Sequence, residues 1–187
     1  GWGFRLRPVR LDDSTFILSL RTNPVLARHL HPVSGQLEDQ HDWMQAYFER
    51  AGDFYFVVER LETAQPVGTI ALVDVEGPGS GAEWGRWILC PGSMAALPSA
   101  LLLYQLGFGA LGQERIFCNT VGDNAQVVSF HDSCGLERTA RLPAHFDLGG
   151  RRVDAVQHTL WREHWPEVEA RLSPKATRLQ QLLARRS

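Results

Sequence analysis

Residues 83–121 read EWGRWILCPGSMAALPSALLLYQLGFGALGQERIFCNTV. Glu83 to Leu89 has the apolar bulk of a strand, carried by Trp84 and Trp87, and Cys90-Pro91-Gly92-Ser93 breaks it as a loop. Leu97, Leu101, Tyr104, Phe108 and Leu111 then recur at helical spacing, the stripe of a core-facing helix. Arg115 to Val121 returns to strand character. No residue from Trp87 to Gln113 is charged, a length that by itself would suit a membrane span. Pro91, Gly92, Pro98, Gly107, Gly109 and Gly112 interrupt it, however, and helical periodicity begins only at Leu97. A strand, a tight loop and a buried helix account for the stretch, so the expected class is α/β.

Working outward, the same logic orders the rest. On the N-terminal side, Phe4 to Val9 predicts a short edge strand. Asp12-Asp13-Ser14 offers caps for a helix that Asn23-Pro24 ends. A second helix from about Gln36 places Trp43, Met44, Tyr47 and Phe48 on one face, and Asp53–Glu59 and Val67–Val75 form a hairpin through a turn at Thr63–Pro66. On the C-terminal side, Asp123 and Asn124 cap a helix with Val127, Phe130, His131 and Cys134 inward and Gly135 at its end. Strands at Glu137–His145 and Val153–Trp161 follow, joined at Leu148-Gly149-Gly150. A last helix begins at Ser173-Pro174, with Leu179, Leu182 and Leu183 as its apolar stripe. The order β, α, α, β, β, β, α, β, α, β, β implies a twisted mixed sheet flanked by helices. It divides as one domain over residues 1–165 and a helical tail over 166–187.

Composition narrows the function. At 187 residues and 44% hydrophobic content the chain can bury one sizeable core. With 19 basic and 21 acidic residues and Lys175 as the sole lysine, it lacks the clustered charge that nucleic acid requires. The pairs Arg151-Arg152 and Arg185-Arg186 read as isolated and solvated. Cys90, Cys118 and Cys134 have no metal spacing, and their odd number fits free buried thiols in a reducing compartment. No secretory leader pattern opens the chain, and the expectation for a start at Gly1 rather than Met is a processing or tag remnant. The expectation is a cytoplasmic protein without metal, nucleic-acid or membrane partner.

Four stretches now stand on identifiable elements: Leu20-Arg21-Thr22-Asn23-Pro24, Pro66-Val67-Gly68-Thr69-Ile70, Asp123-Asn124 with Phe130-His131-Asp132-Ser133-Cys134-Gly135-Leu136, and Val153-Asp154-Ala155-Val156 through Trp161-Arg162-Glu163-His164-Trp165. In this order they resemble signatures of the RimJ/RimL-like branch of the GNAT superfamily of N-acetyltransferases. The resemblance runs from about Phe4 to Trp165. It implies a GNAT fold and acetyl-CoA as cosubstrate. It also implies a pyrophosphate loop between the fourth strand and the next helix, where that family carries an arginine and two glycines. The corresponding Met94-Ala95-Ala96-Leu97-Pro98-Ser99 has neither, and Pro98 removes a donor. Phosphate binding is thereby left to backbone amides between Gly92 and Leu97 and to the helix dipole.

Acetyl transfer to an amine requires a base for the amine, a donor for the thioester oxygen and a proton for the departing thiolate. By resemblance, Glu83 is the candidate base and His131 stands where the family's thiolate-protonating tyrosine falls. A fourth-strand amide, of Trp87 or Ile88, serves the oxygen. The cofactor-contacting set runs through Trp87, Ile88 and Leu89, then Ser93, Met94, Ala95, Ala96, Leu97 and Ser99, with Asn124 on the pantetheine arm and Ser129 beside it. Each has a plainer reading: a solvated carboxylate for Glu83, a core histidine for His131 and an N-cap for Asn124. On the first two helices, Arg21, His41 and Trp43 are the candidate acceptor contacts, a mix that suits a polar or anionic amine. His29, His31 and His41 share no spacing with a carboxylate or cysteine and form no metal site.

Three functions compete. The first is N-acetylation of a small-molecule amine, with a nucleotide-linked amino sugar preferred because Gln40-His41-Asp42-Trp43 and Phe146 through Arg151 resemble amino-sugar acetyltransferases. The second is acetylation of a protein N-terminus or ribosomal protein, which needs an open groove between Val33–Gln36 and Arg141–His145. The third is a GNAT domain that binds without catalysis. The C-terminal apolar stripe suggests a homodimer contact.

Overall fold

The computed structural model describes residues 1–185, so Arg186 of the second arginine pair lies outside the described residues. The strands are β1 (Phe4–Pro8), β2 (Phe54–Arg60), β3 (Pro66–Val73), β4 (Gly81–Leu89), β5 (Arg115–Val121), β6 (Glu137–Asp147) and β7 (Arg152–Trp161). The helices are α1 (Ser14–Thr22), α2 (Leu37–Phe48), α3 (Ala96–Tyr104), α4 (Ala125–Ser133) and α5 (Trp165–Ala184). Seven strands form one sheet in the order β1-β2-β3-β4-β5-β7-β6. All pairings are antiparallel except β4 with β5. This is the mixed sheet, flanked by helices, that the element order implies.

The period of two along the strands divides the core. Phe56, Val58, Ile70 and Leu72 point to one face, where α3 and α5 bring Leu101, Leu103, Tyr104, Trp165, Val168 and Leu172. Tyr55, Val57 and Ala71 point to the other, against Ile17 of α1 and Met44 and Tyr47 of α2. Because β2 is covered on both sides, its stretch FYFVV, Phe54 to Val58, is a continuous apolar run without alternation. Each large side chain taken fully out of water there, Tyr55, Ile70 and Leu101 among them, contributes about 1.5–3 kcal/mol before entropy is counted.

Four local readings change. Phe48, expected on the inner face of α2, is 47% exposed, because it follows Tyr47 and points away from the sheet. On α4 the fully buried positions are Val128 and His131, with Val127 and Phe130 half-covered. The helix after the β4 loop does not stay α-helical to Leu111: Gln105–Ala110 is a π-helical turn, and Gly107 lies where a Cβ would come within 2.5 Å of Ile116 Cδ1. The last helix starts at Trp165 rather than Ser173, with Pro166 in its first turn, and continues through Pro174. Burial of Trp165, Val168, Leu172 and Ala176 along one stripe outweighs that proline's penalty. Leu183 of the expected dimer stripe packs against the main core, and Leu182 is 40% exposed. Among the described residues no helix is long and apolar enough to cross a membrane. Arg151 is exposed and lies 3.5 Å from Asp123 Oδ2.

Candidate active site

The site begins with a parting of strands. β4 and β5 pair only over Gly81–Glu83 with Arg115–Phe117, after which β5 pairs with β7 alone. Past Glu83 the β5-facing edge of β4 therefore has no strand beside it. On its other edge β4 carries a bulge: Thr69 faces Ile88 and Ala71 faces Gly85, so Arg86 and Trp87 fall between pairs. Arg86 takes the left-handed conformation, with φ of 49°. Such backbone costs on the order of 1–3 kcal/mol and persists only where it is held. Thr69 Oγ1 donates to the Arg86 carbonyl at 2.9 Å, and the Arg86 guanidinium makes a bidentate pair with Asp53.

The parting opens a cleft of ≈ 260 Å³. Glu83, Trp84, Arg86 and Trp87 come to it from β4, Cys118 to Val121 from β5, and Asn124, Val127 and His131 from α4. The last turn of α1 contributes Arg21, the loop after it contributes His29 and His31, and the β6–β7 hairpin contributes Phe146 and Leu148. That loop meets the hairpin across the opening. His31 packs edge-on to Phe146 with centroids 6.3 Å apart, Arg21 Nη2 donates to the His31 carbonyl at 3.1 Å, and His29 Nδ1 lies 3.3 Å from Asp123 Oδ1.

Glu83 sits at the vertex of the cleft. Burial raises its pKa above the ordinary glutamate value, opposed by the hydrogen bond that Oε1 accepts from Asn119 Nδ2 at 3.2 Å. Asn119 Oδ1 in turn accepts from Gln157 Nε2 at 3.1 Å, which fixes the orientation of the amide that holds the carboxylate. A carboxyl poised above its usual range in a cleft fits a general base for an amine.

His131 is 2% exposed, edge-on to Trp84 with centroids 4.8 Å apart. Burial, and then the neighbouring His158, push its pKa down to about 3. At neutral pH its ring is uncharged, so it offers a neutral imidazole rather than the imidazolium that a titrating acid would supply. Burial pushes the Cys118 thiol up to about 12, so this cleft-lining sulfur stays protonated and is no nucleophile.

The other candidates divide. Asn124 both caps α4, its Oδ1 accepting from the Val127 amide at 3.4 Å, and lines the cleft. Trp87 lines it too; its ring packs on Phe130 and its Nε1 donates to Ser99 Oγ at 3.2 Å. Ile88 is buried and Leu89 packs against the main core, so neither side chain lines the cleft. Ser93, Met94, Ala96 and Leu97 are half-covered at the start of α3. Ala95 and Ser99 have no exposed surface, and the Ser93 hydroxyl accepts from the Ala95 amide at 3.2 Å. Pro98 falls in the first turn of α3, where helical amides lack intrahelical partners in any case. Ser129 is exposed and does not line the cleft.

A second cavity, ≈ 290 Å³, lies between α1 and α2. Arg21 lines both cavities and Trp43 lines the second, whereas His41 lines neither. Sequence reasoning missed Arg86, Asp53 and Asn119. Gly85 inside a strand was the available signal for Arg86, since a glycine there often marks a bulge. Among the described residues no group of His, Cys, Asp and Glu could hold a metal ion.

The sequence model of the acetyltransferase (GNAT) domain matches residues 4–137. Among solved structures, apo FdhC, a nucleotide-linked sugar GNAT, is 27% identical, with 91% of this chain and 93% of that chain covered at a TM-score of 0.76. A spermidine N-acetyltransferase from Vibrio cholerae in complex with CoA and spermine is 19% identical, with 89% and 99% covered at a TM-score of 0.79, a likeness of fold alone. No curated protein matches the sequence significantly.

Proposed function

The chain belongs to the GNAT acetyltransferase family and is an acyltransferase, and on that premise we propose that it moves the acetyl group of acetyl-CoA onto the primary amine of a small molecule, a nucleotide-linked amino sugar first among the acceptors to be tried. The observation that carries the reading is the β4–β5 parting with Glu83 at its vertex, its proton affinity raised by burial. The likeness to FdhC supports the sugar acceptor. Closure supports a small acceptor over a peptide. The His31–Phe146 contact bridges the loop after α1 and the β6–β7 hairpin, where a peptide groove would need to stay open.

Acetyl-CoA, when bound, supplies the activated acetyl group. Glu83 takes a proton from the acceptor amine, directly or through water. The unpaired edge of β4 offers a backbone amide, that of Trp87 or Ile88 by our assignment, to the carbonyl oxygen. His131 donates a neutral N–H toward the departing sulfur. The residues fit the cosubstrate: Asn124 has Nδ2 left to donate after Oδ1 caps α4, and the loop from Ser93 to Leu97 together with the α3 dipole presents backbone rather than side chains to phosphate. We also place the enzyme in the cytoplasm, consistent with three free cysteines. A homodimer is tested by light scattering, where a monomer mass at all concentrations rejects it.

The decisive assay is release of CoA thiol over a panel of amines. Turnover with an amino sugar or its nucleotide-linked form, reduced about 10²–10⁴-fold in Glu83→Gln, is the expected result. A variant that turns over at the wild-type rate removes Glu83 from the mechanism.

A further inference from the structure

Most arginines near the sheet have a carboxylate. Arg5 and Arg7 meet Glu59, Arg86 meets Asp53, Arg138 meets Asp132, and Arg141 meets Asp154. Arg21 has none among the described residues. Its one hydrogen bond runs from Nη2 to the His31 carbonyl at 3.1 Å, and its Nε is buried without a partner. It stands in the wall shared by the cleft and the cavity between α1 and α2. Gln40, which lines that same cavity, is 7% exposed, and its Nε2 is also buried without a partner.

A guanidinium drawn out of water with no countercharge is costly, and so is a buried amide N–H with no acceptor. Here two donors line one cavity. The carboxylate in the lining, Asp39, is exposed, and among the described residues no ion pair or hydrogen bond joins it to either. An oxyanion would satisfy both donors at once, and the planar fork of arginine matches carboxylate and phosphate oxygens.

We propose that the cavity between α1 and α2 is an anion subsite of the acceptor, in which Arg21 and Gln40 hold a phosphate or carboxylate of the amine substrate. The proposal rests on the acetyltransferase reading above, and what joins the two is Arg21, which lines both the cleft that holds Glu83 and this cavity. It sets the charge of the acceptor. The wall that receives it carries Arg21 with no countercharge, so polycationic amines are poor substrates and amines bearing an anion are good ones.

The test compares glucosamine, glucosamine 6-phosphate, glucosaminate and spermidine in wild type, Arg21→Gln and Gln40→Leu. In wild type kcat/KM for the phosphate or the carboxylate exceeds that for glucosamine by about tenfold or more, and spermidine is the poorest. Which of the two anions leads identifies the group. In Arg21→Gln the anion-to-neutral ratio collapses toward one, mainly through KM. Gln40→Leu lowers it by a smaller factor. Calorimetric binding of the same anions without acetyl-CoA follows the same order, and melting temperatures confirm that each variant is folded. A wild-type ratio near one, or a ratio unchanged in Arg21→Gln, overturns the subsite while leaving acetyl transfer intact. If no amine is acetylated, the acetyltransferase reading fails instead, and the binding measurement alone decides: anion binding that is lost in Arg21→Gln upholds the subsite, and no anion binding overturns it.

Discussion

Glu83 and His131 share one cleft, and burial moves their proton affinities in opposite senses. Burial raises Glu83, so the folded state holds its proton more tightly than the unfolded chain and stability falls as pH rises through that window. Glu83→Gln is accordingly expected to melt at or above the wild-type temperature at neutral pH, with the difference vanishing below the ordinary glutamate range. Calorimetry across pH checks the sign. Wild-type kcat/KM should rise as Glu83 ionises, and that rise should be missing in the variant. His131, pushed down to about 3, contributes no ionisation between pH 5 and 9. His131→Phe removes a neutral donor and a buried Nδ1 that has no partner. It is expected to be slower by about tenfold at every pH and no less heat-stable, with unchanged affinity for acetyl-CoA. Single residues were legible where a local pattern carried them. Asn124 stands at a helix start, and Glu83 stands among the first residues of a strand whose apolar bulk was visible. The Arg86–Asp53 pair spans 33 positions, and no local spacing signals such a contact.

At the scale of elements, the strands and α-helices of the described residues follow the order that periodicity implies, because each hydrophobic face is consumed by one layer of the core. Boundaries moved where tertiary packing overrode a local stop. Pro174 reads as a helix start, yet it sits exposed in the middle of α5. Pro174→Ala is expected to raise stability by about 1–3 kcal/mol, read as a higher denaturant midpoint at constant m. Gly68 shows the reverse constraint. A Cβ there would stand 2.4 Å from the Ile88 carbonyl oxygen and 2.5 Å from Leu89 Cδ2, just beside the bulge. Backbone cannot swing away as a side-chain tip does. Gly68→Ala should therefore cost about 2–4 kcal/mol and, by shifting β4, lower kcat more than its loss of stability explains. Gly85 hinted at the bulge, but its register is a mismatch between two strands, and one strand alone does not record that.

For the whole molecule, ligand binding and stability are linked. If acetyl-CoA occupies the cleft, a concentration a hundredfold above Kd adds about 2.7 kcal/mol, which is about 5–10 °C in melting temperature for a chain of this size. No shift at millimolar acetyl-CoA would contradict cosubstrate binding through a loop that lacks the family's arginine and glycines. The parting of β4 from β5 has a further, mechanical consequence. Three residue pairs splice two stiff plates, β1–β4 and β5–β7, at one end and leave the other end agape. Such a pair of plates can rock about its splice. A molecule wedged into the gap acts as a brace, so the slow opening motions that let amide protons escape from the splice should be damped when the wedge is filled.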